Sequence, residues 1–310
     1  MNNLIELHGK KIYFKNIVGY GCSFMAGAEC CDDIMRIDMD LTAVNEVKLT
    51  NGRNMHRFYQ EYTKPEYIEK GLINPYFLTN NQFDWNKVRD HEKKNSWFNL
   101  LAENFEGTHR NMSVSGESFS GMQHRHMKDV AENAISDEDL IIIGLTSITR
   151  FFYIDNSGKK CNSLIGWPNI GWPTLNSGDI DEDFYKKYIS YLGSSNNLLW
   201  DMLRSIYYFK NLKNPVIFVP QFVTYYLDDD VNYDPTIKHL MESFLKSSEL
   251  IPLTMNFPNM LHDEFFYGPC VTSGIPSTSM KMSGLHPSRP QHQKFAANIY
   301  NYLKCDNNGK

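Results

Sequence analysis

The chain has 310 residues, of which 42% are hydrophobic and 22% charged, with a formal net charge of −5 and a pI near 6.1. That balance is one of a globular chain able to bury a sizeable core, and it excludes disorder driven by low hydrophobicity and high charge. A mildly acidic chain with no run of five basic residues carries no footprint for a polyanion, so no nucleic-acid partner is expected.

The first fourteen residues, MNNLIELHGKKIYF, lack a basic segment followed by an apolar stretch and a small-residue cleavage site. Nowhere do 18 apolar residues run together. The expectation is a cytoplasmic protein with no signal peptide, no transmembrane segment and no membrane partner. Cys22, Cys30, Cys31, Cys161, Cys270 and Cys305 are too sparse for a disulfide framework and are read as reduced thiols. Cys30-Cys31 before Asp32-Asp33 lacks paired C-x-x-C spacing, so no metal is expected there.

In chain order, Ile17–Gly21 is the first short apolar run of strand character. Arg36–Lys94 is long, polar and rich in Asn and Tyr, without a sustained period, and is read as an insertion. Ser96–Phe105 has a helical pattern, Asn111–Val114 that of a strand, Ser118–Ile135 that of a helix and Leu140–Thr146 that of a buried strand. Asp155–Asp181, with two Gly-Trp-Pro triplets, is read as a second insertion. A helix broken near Gly193 over Asp183–Leu212, a strand at Val216–Pro220, a helix at Thr236–Leu245 and a strand at Leu250–Met255 follow. The last element, Arg289–Leu303, repeats Phe295, Ile299, Tyr302 and Leu303 at helical spacing.

Five strands alternating with helices predict a doubly wound, flavodoxin-like α/β domain, its parallel sheet covered by helices on both faces. A single domain is expected over the whole chain, with insertions at about 36–94 and 155–181 walling its site.

In Gly21-Cys22-Ser23-Phe24-Met25-Ala26-Gly27, a strand ends in a serine followed by a small-residue turn into a helix. Ligands of parallel α/β sheets bind beyond the carboxyl ends of the strands, which makes Ser23 a candidate nucleophile. Its own amide, near a helix N-terminus, is a candidate oxyanion donor. The spacing is G-x-S-x-x-x-G and not the G-x-S-x-G elbow of α/β-hydrolases. The alternative is that Ser23 is only a helix N-cap, a role serine favours.

Near the other end, Ser283-Gly284-Leu285-His286-Pro287-Ser288 precedes the last amphipathic helix. A histidine before proline is held in extended backbone and can point into a strand-end cleft. Ser23 and His286 together are the nucleophile and base that activate a serine hydroxyl.

With these residues in place, the chain resembles the SGNH (GDSL-like) hydrolases, whose Ser, Gly, Asn and His come in that order from short blocks along a doubly wound domain. The first block is similar to Gly21–Gly27, with Cys22 where the family has aspartate, and the second to Asn111–Gly116. The third is similar to Gly144-Leu145-Thr146-Ser147, with Thr146 in place of asparagine, and the last to Ser283–Pro287, with Ser283 in place of aspartate. The resemblance implies catalysis by Ser23 and His286, an oxyanion hole from Ser23, Gly116 and Thr146, and no metal or organic cofactor. It implies a small-molecule or glycan ester as substrate, with removal of a small acyl group such as acetyl. The Gly-Cys-Ser-Phe block paired with Gly-x-Thr-Ser also resembles bacteriophage members of the superfamily, which implies a virion-associated location as the alternative to a cytoplasmic one. The missing aspartates motivate a second reading, a non-catalytic glycan-binding or virion structural protein. The oligomeric state is left open.

Three further residues are candidate substrate contacts: Arg150, four residues after Thr146, and Trp167 and Trp172 of the Gly-Trp-Pro triplets. Salt bridging for the arginine and core packing for the tryptophans are the alternatives. His124 and His126 are two apart and share no helical face, which argues against a metal pair.

Overall fold

The computed structural model describes residues 3–27, 65–71, 73–114, 117–146, 150–154, 160–164, 195–221, 232–260, 287 and 289–304. It opens on an antiparallel hairpin, β1 (Asn3–Leu7) and β2 (Lys10–Phe14), in which Leu7 pairs with Lys10. The two-residue turn between them, His8-Gly9, takes φ of 50° and 76°, the left-handed pair whose twist matches a hairpin. Alternation then buries Ile5, Leu7, Ile12 and Phe14 on one face.

β3 (Ile17–Tyr20), buried at every position, leads into the short helix α1 (Ser23–Ala26). The second half of the stretch expected to be a non-periodic insertion is in fact regular. It holds α2 (Pro65–Glu69), a 3₁₀ turn at Pro75–Phe77, a small hairpin of β4 (Leu78–Thr79) and β5 (Gln82–Phe83), and α3 (Trp85–Lys94). α3 starts because the Asp84 carboxylate accepts from Asn86 N and Lys87 N. Only Val88 and Glu92 of its ten residues are buried, which leaves no apolar period to read.

α4 (Trp97–Ala102) is capped by Ser96, and β6 (His109–Asn111) follows. Then come α5 (Phe119–Ala131), β7 (Leu140–Leu145) and the hairpin of β8 (Arg150–Ile154) and β9 (Lys160–Leu164), the latter inside the second expected insertion. α6 (Ser195–Lys210), β10 (Val216–Pro220), α7 (Pro235–Leu245), α8 (Phe257–Met260) and α9 (Arg289–Lys304) complete the described elements.

β6, β3, β7 and β10 form a parallel sheet in that spatial order. Counted along the chain, the order is 2-1-3-4, that of a flavodoxin-like sheet. The expected fifth strand at Leu250–Met255 makes a single parallel bridge, Phe218 to Leu250. Phe218 N donates to Glu249 O and Ile251 N to Phe218 O. The next donor in that parallel ladder is the nitrogen of Pro220, which carries no hydrogen, so pairing stops.

Because strand residues alternate between faces, β7 sends Leu140 and Ile142 into one core and Ile141, Ile143 and Leu145 into the other. The first core packs the N-terminal hairpin, α1, α4 and α9; the second packs α5, α6 and α7. Helices thus cover both faces, as the sequence predicts.

Candidate functional site

All four strands run parallel, so their carboxyl ends share one edge. Ser23 follows β3 there, Ser113 lies two residues beyond β6, Thr146 follows β7 and Gln221 follows β10. β3 and β7 are the neighbours at which the strand order reverses, the crevice in which doubly wound proteins hold ligands.

Ser23 is not the cap of α1. Cys22 holds that position in extended backbone, with no side-chain capping bond, and Ser23 is the first helical residue, 3% exposed. Met25 N and Ala26 N both reach Cys22 O, while an amide as early as that of Ser23 has no carbonyl within the helix to bond. The closing glycine of the motif, Gly27, ends the helix at φ 71°, and a Cβ there would stand 2.3 Å from Glu92 O. Left-handed backbone and the close approach of α3 both demand glycine at this place.

The second block supports this turn from the side. Asn111 Nδ2 donates to Met25 O at 2.9 Å and to Ser96 Oγ at 3.1 Å, and Asn111 Oδ1 accepts from Ser113 N. Backbone pairing runs on past β6, with Met112 N donating to Gly19 O and Val114 N to Gly21 O. A single asparagine therefore ties the end of β6 to α1.

Thr146 is fully buried, and its hydroxyl donates to Glu117 O at 3.2 Å. Glu117, itself buried, receives the Arg125 guanidinium on one carboxylate oxygen, from Nη2 at 3.0 Å and Nε at 3.3 Å. The loop entering α5 is thereby pinned to both the end of β7 and its own helix.

Sequence reasoning missed Gln221, Trp97 and His292. Gln221 Nε2 donates to Leu145 O at 3.1 Å and approaches Cys22 Sγ at 3.8 Å, and Gln221 Oε1 accepts the Trp97 indole N–H at 3.1 Å. Trp97 N donates to His292 Nδ1 at 3.0 Å. The available signal was a polar residue directly after the apolar run Val216–Pro220, at the ligand end of a parallel strand.

Behind the sheet edge, Tyr20 donates to Asp129 Oδ2 at 2.6 Å, and burial, with that bond second, raises the phenol pKa so that it stays protonated. His126, fully buried between Tyr20, Tyr208 and Phe209, pairs its Nδ1 with the Tyr208 hydroxyl at 2.9 Å. Desolvation pushes its pKa down to about 4, against a smaller opposing pull from Asp129. This histidine is a packed core residue.

Gly116, His286, Trp167 and Trp172 lie outside the described residues. Arg150 opens β8, its backbone paired with Leu164. Among the described residues, no group of three or more His, Cys, Asp or Glu side chains is arranged to hold a metal ion, and no helix is long and apolar enough to cross a membrane.

No protein-family model matches the chain, and no curated protein matches it. Among solved structures, it is similar to a catalytic mutant of an acetylxylan esterase from Geobacillus stearothermophilus, at 10% identity and TM-score 0.37, covering 93% of this chain and 94% of that one. It is also similar to the Bacillus subtilis protein YxiM, at 14% identity and TM-score 0.36, covering 96% of this chain and 58% of that one.

Proposed function

We propose that the protein is a serine esterase of SGNH type that removes a small acyl group, acetyl first among them, from a carbohydrate or other ester. The observation that carries this reading is the place of Ser23: first residue of the helix after the first parallel strand, at the reversal point of a 2-1-3-4 sheet.

In this reading, Ser23 Oγ attacks the acyl carbon while His286 takes its proton. The Ser23 and Gly116 amides hold the developing oxyanion, and Thr146 joins them when its hydroxyl turns away from Glu117 O. His286 then passes the proton to the departing alcohol oxygen. A water molecule, deprotonated by His286, releases the acid and restores Ser23. Arg150, Trp167 and Trp172 are assigned to substrate contact, and a single domain to the chain.

The test is a fluorophosphonate probe with peptide mass spectrometry, alongside acetate release from acetylated sugars. The expected result is an adduct on the Ser23 peptide, absent in Ser23→Ala and formed at least ~10³-fold more slowly in His286→Gln. No adduct, under conditions that label a control serine hydrolase, overturns the esterase reading in favour of a glycan-binding or virion structural protein on the same fold.

A further inference from the structure

A buried chain of hydrogen bonds joins the helix that follows His286 to the turn that carries Ser23. It runs from His292 Nδ1 to the Trp97 backbone N–H, and from the Trp97 indole N–H to Gln221 Oε1. From there Gln221 Nε2 reaches Leu145 O, one residue before Thr146, and Cys22 Sγ, one residue before Ser23. Cys22, Trp97, Gln221 and His292 are all fully buried.

A carboxamide accepts from the indole while donating to a carbonyl without having to take up a proton. A carboxylate would face the Leu145 oxygen without a proton, and an aliphatic chain would leave the indole N–H unbonded in the core. The close fit extends to Gly144, where a Cβ would stand 2.7 Å from Gln221 Nε2.

We propose that Gln221 is a positioning residue. Its carboxamide sets the Cys22–Ser23 turn against the end of β7 and, through Trp97, against α9, the helix that begins three residues after His286. This rests on the reading of Ser23 as nucleophile and His286 as base. Gln221 reacts with nothing; it holds two ends of the chain in register, where a displacement of 1 Å can slow chemistry by about 10²-fold.

The test is the rate constant for fluorophosphonate labelling of Ser23, measured with the final labelled fraction, in wild type and Gln221→Met. Alkylation of Cys22 by iodoacetamide, followed on its peptide, is measured in parallel. The expected result is a rate constant lower by about tenfold or more at an unchanged labelled fraction, with Cys22 alkylated about tenfold faster. A packing defect alone would lower the labelled fraction and leave the rate constant of the folded molecules intact. A wild-type rate constant in Gln221→Met overturns the proposal.

Should Gln221→Met fail to fold, Trp97→Phe decides the matter, since it removes the indole N–H and keeps a ring in the core. A rate lower by roughly threefold to tenfold supports the proposal, and an unchanged rate overturns it. If wild-type Ser23 takes no label, the esterase reading falls, and Cys22 alkylation alone judges the tether: a tenfold rise in the variant supports it and no rise overturns it.

Discussion

The Thr146 hydroxyl donates to the backbone oxygen of Glu117, so the end of β7 and the loop entering α5 are held together by one hydrogen bond in a dry place. Thr146→Val keeps the shape and removes the donor. The expected loss of stability is about 1 kcal/mol, read from urea unfolding. Under the esterase reading, the same change lowers the turnover of an acetyl ester, and Thr146→Ser retains it. Full turnover in the valine variant would remove Thr146 from the oxyanion hole.

Gly27 is placed where an L side chain meets two penalties, a left-handed φ of 71° and a carbonyl 2.3 Å from its Cβ. Gly27→Ala is expected to destabilise the protein by about 2 kcal/mol or more, measured by chemical denaturation. A variant as stable as wild type would mean that α3 does not press on the end of α1 as described.

His126 makes stability depend on pH. Its folded pKa of about 4 lies below the ordinary 6.5, because burial disfavours the charged ring. The unfolded chain therefore binds the extra proton first. Stability is complete above pH 6.5, falls as pH drops through that window, and levels off below about 4, with roughly 3 kcal/mol at stake. Melting temperatures of wild type and His126→Phe between pH 4 and 7 give the check: the variant should lose this part of the acid slope. Parallel curves would assign the slope to other groups.

Much of the fold is legible in the sequence because continuous apolar runs such as Leu140–Leu145 fit a strand buried on both faces. The N-terminal hairpin, absent from the five expected strands, has its signal in the alternation of Ile5, Leu7, Ile12 and Phe14 around His8-Gly9. The reach of the sheet at Leu250 was not legible, since it depends on which residue of β10 stands opposite, and two residues beyond that residue, Phe218, comes Pro220. Nor was α3 legible, because a helix that buries two residues in ten carries almost no periodic signal.

By itself the sequence determined the parallel α/β architecture and the strand-to-helix turn that carries Ser23, because strand runs, breaks and small-residue turns are local properties of the chain. Only the tertiary structure decided that Cys22 rather than Ser23 caps α1, that Asn111 ties β6 to that helix, and that Gln221 joins Cys22, Leu145 and Trp97. Hydrogen bonds between residues up to 199 positions apart leave no trace in spacing. They exist because folding buries these polar groups together, where each must find a partner.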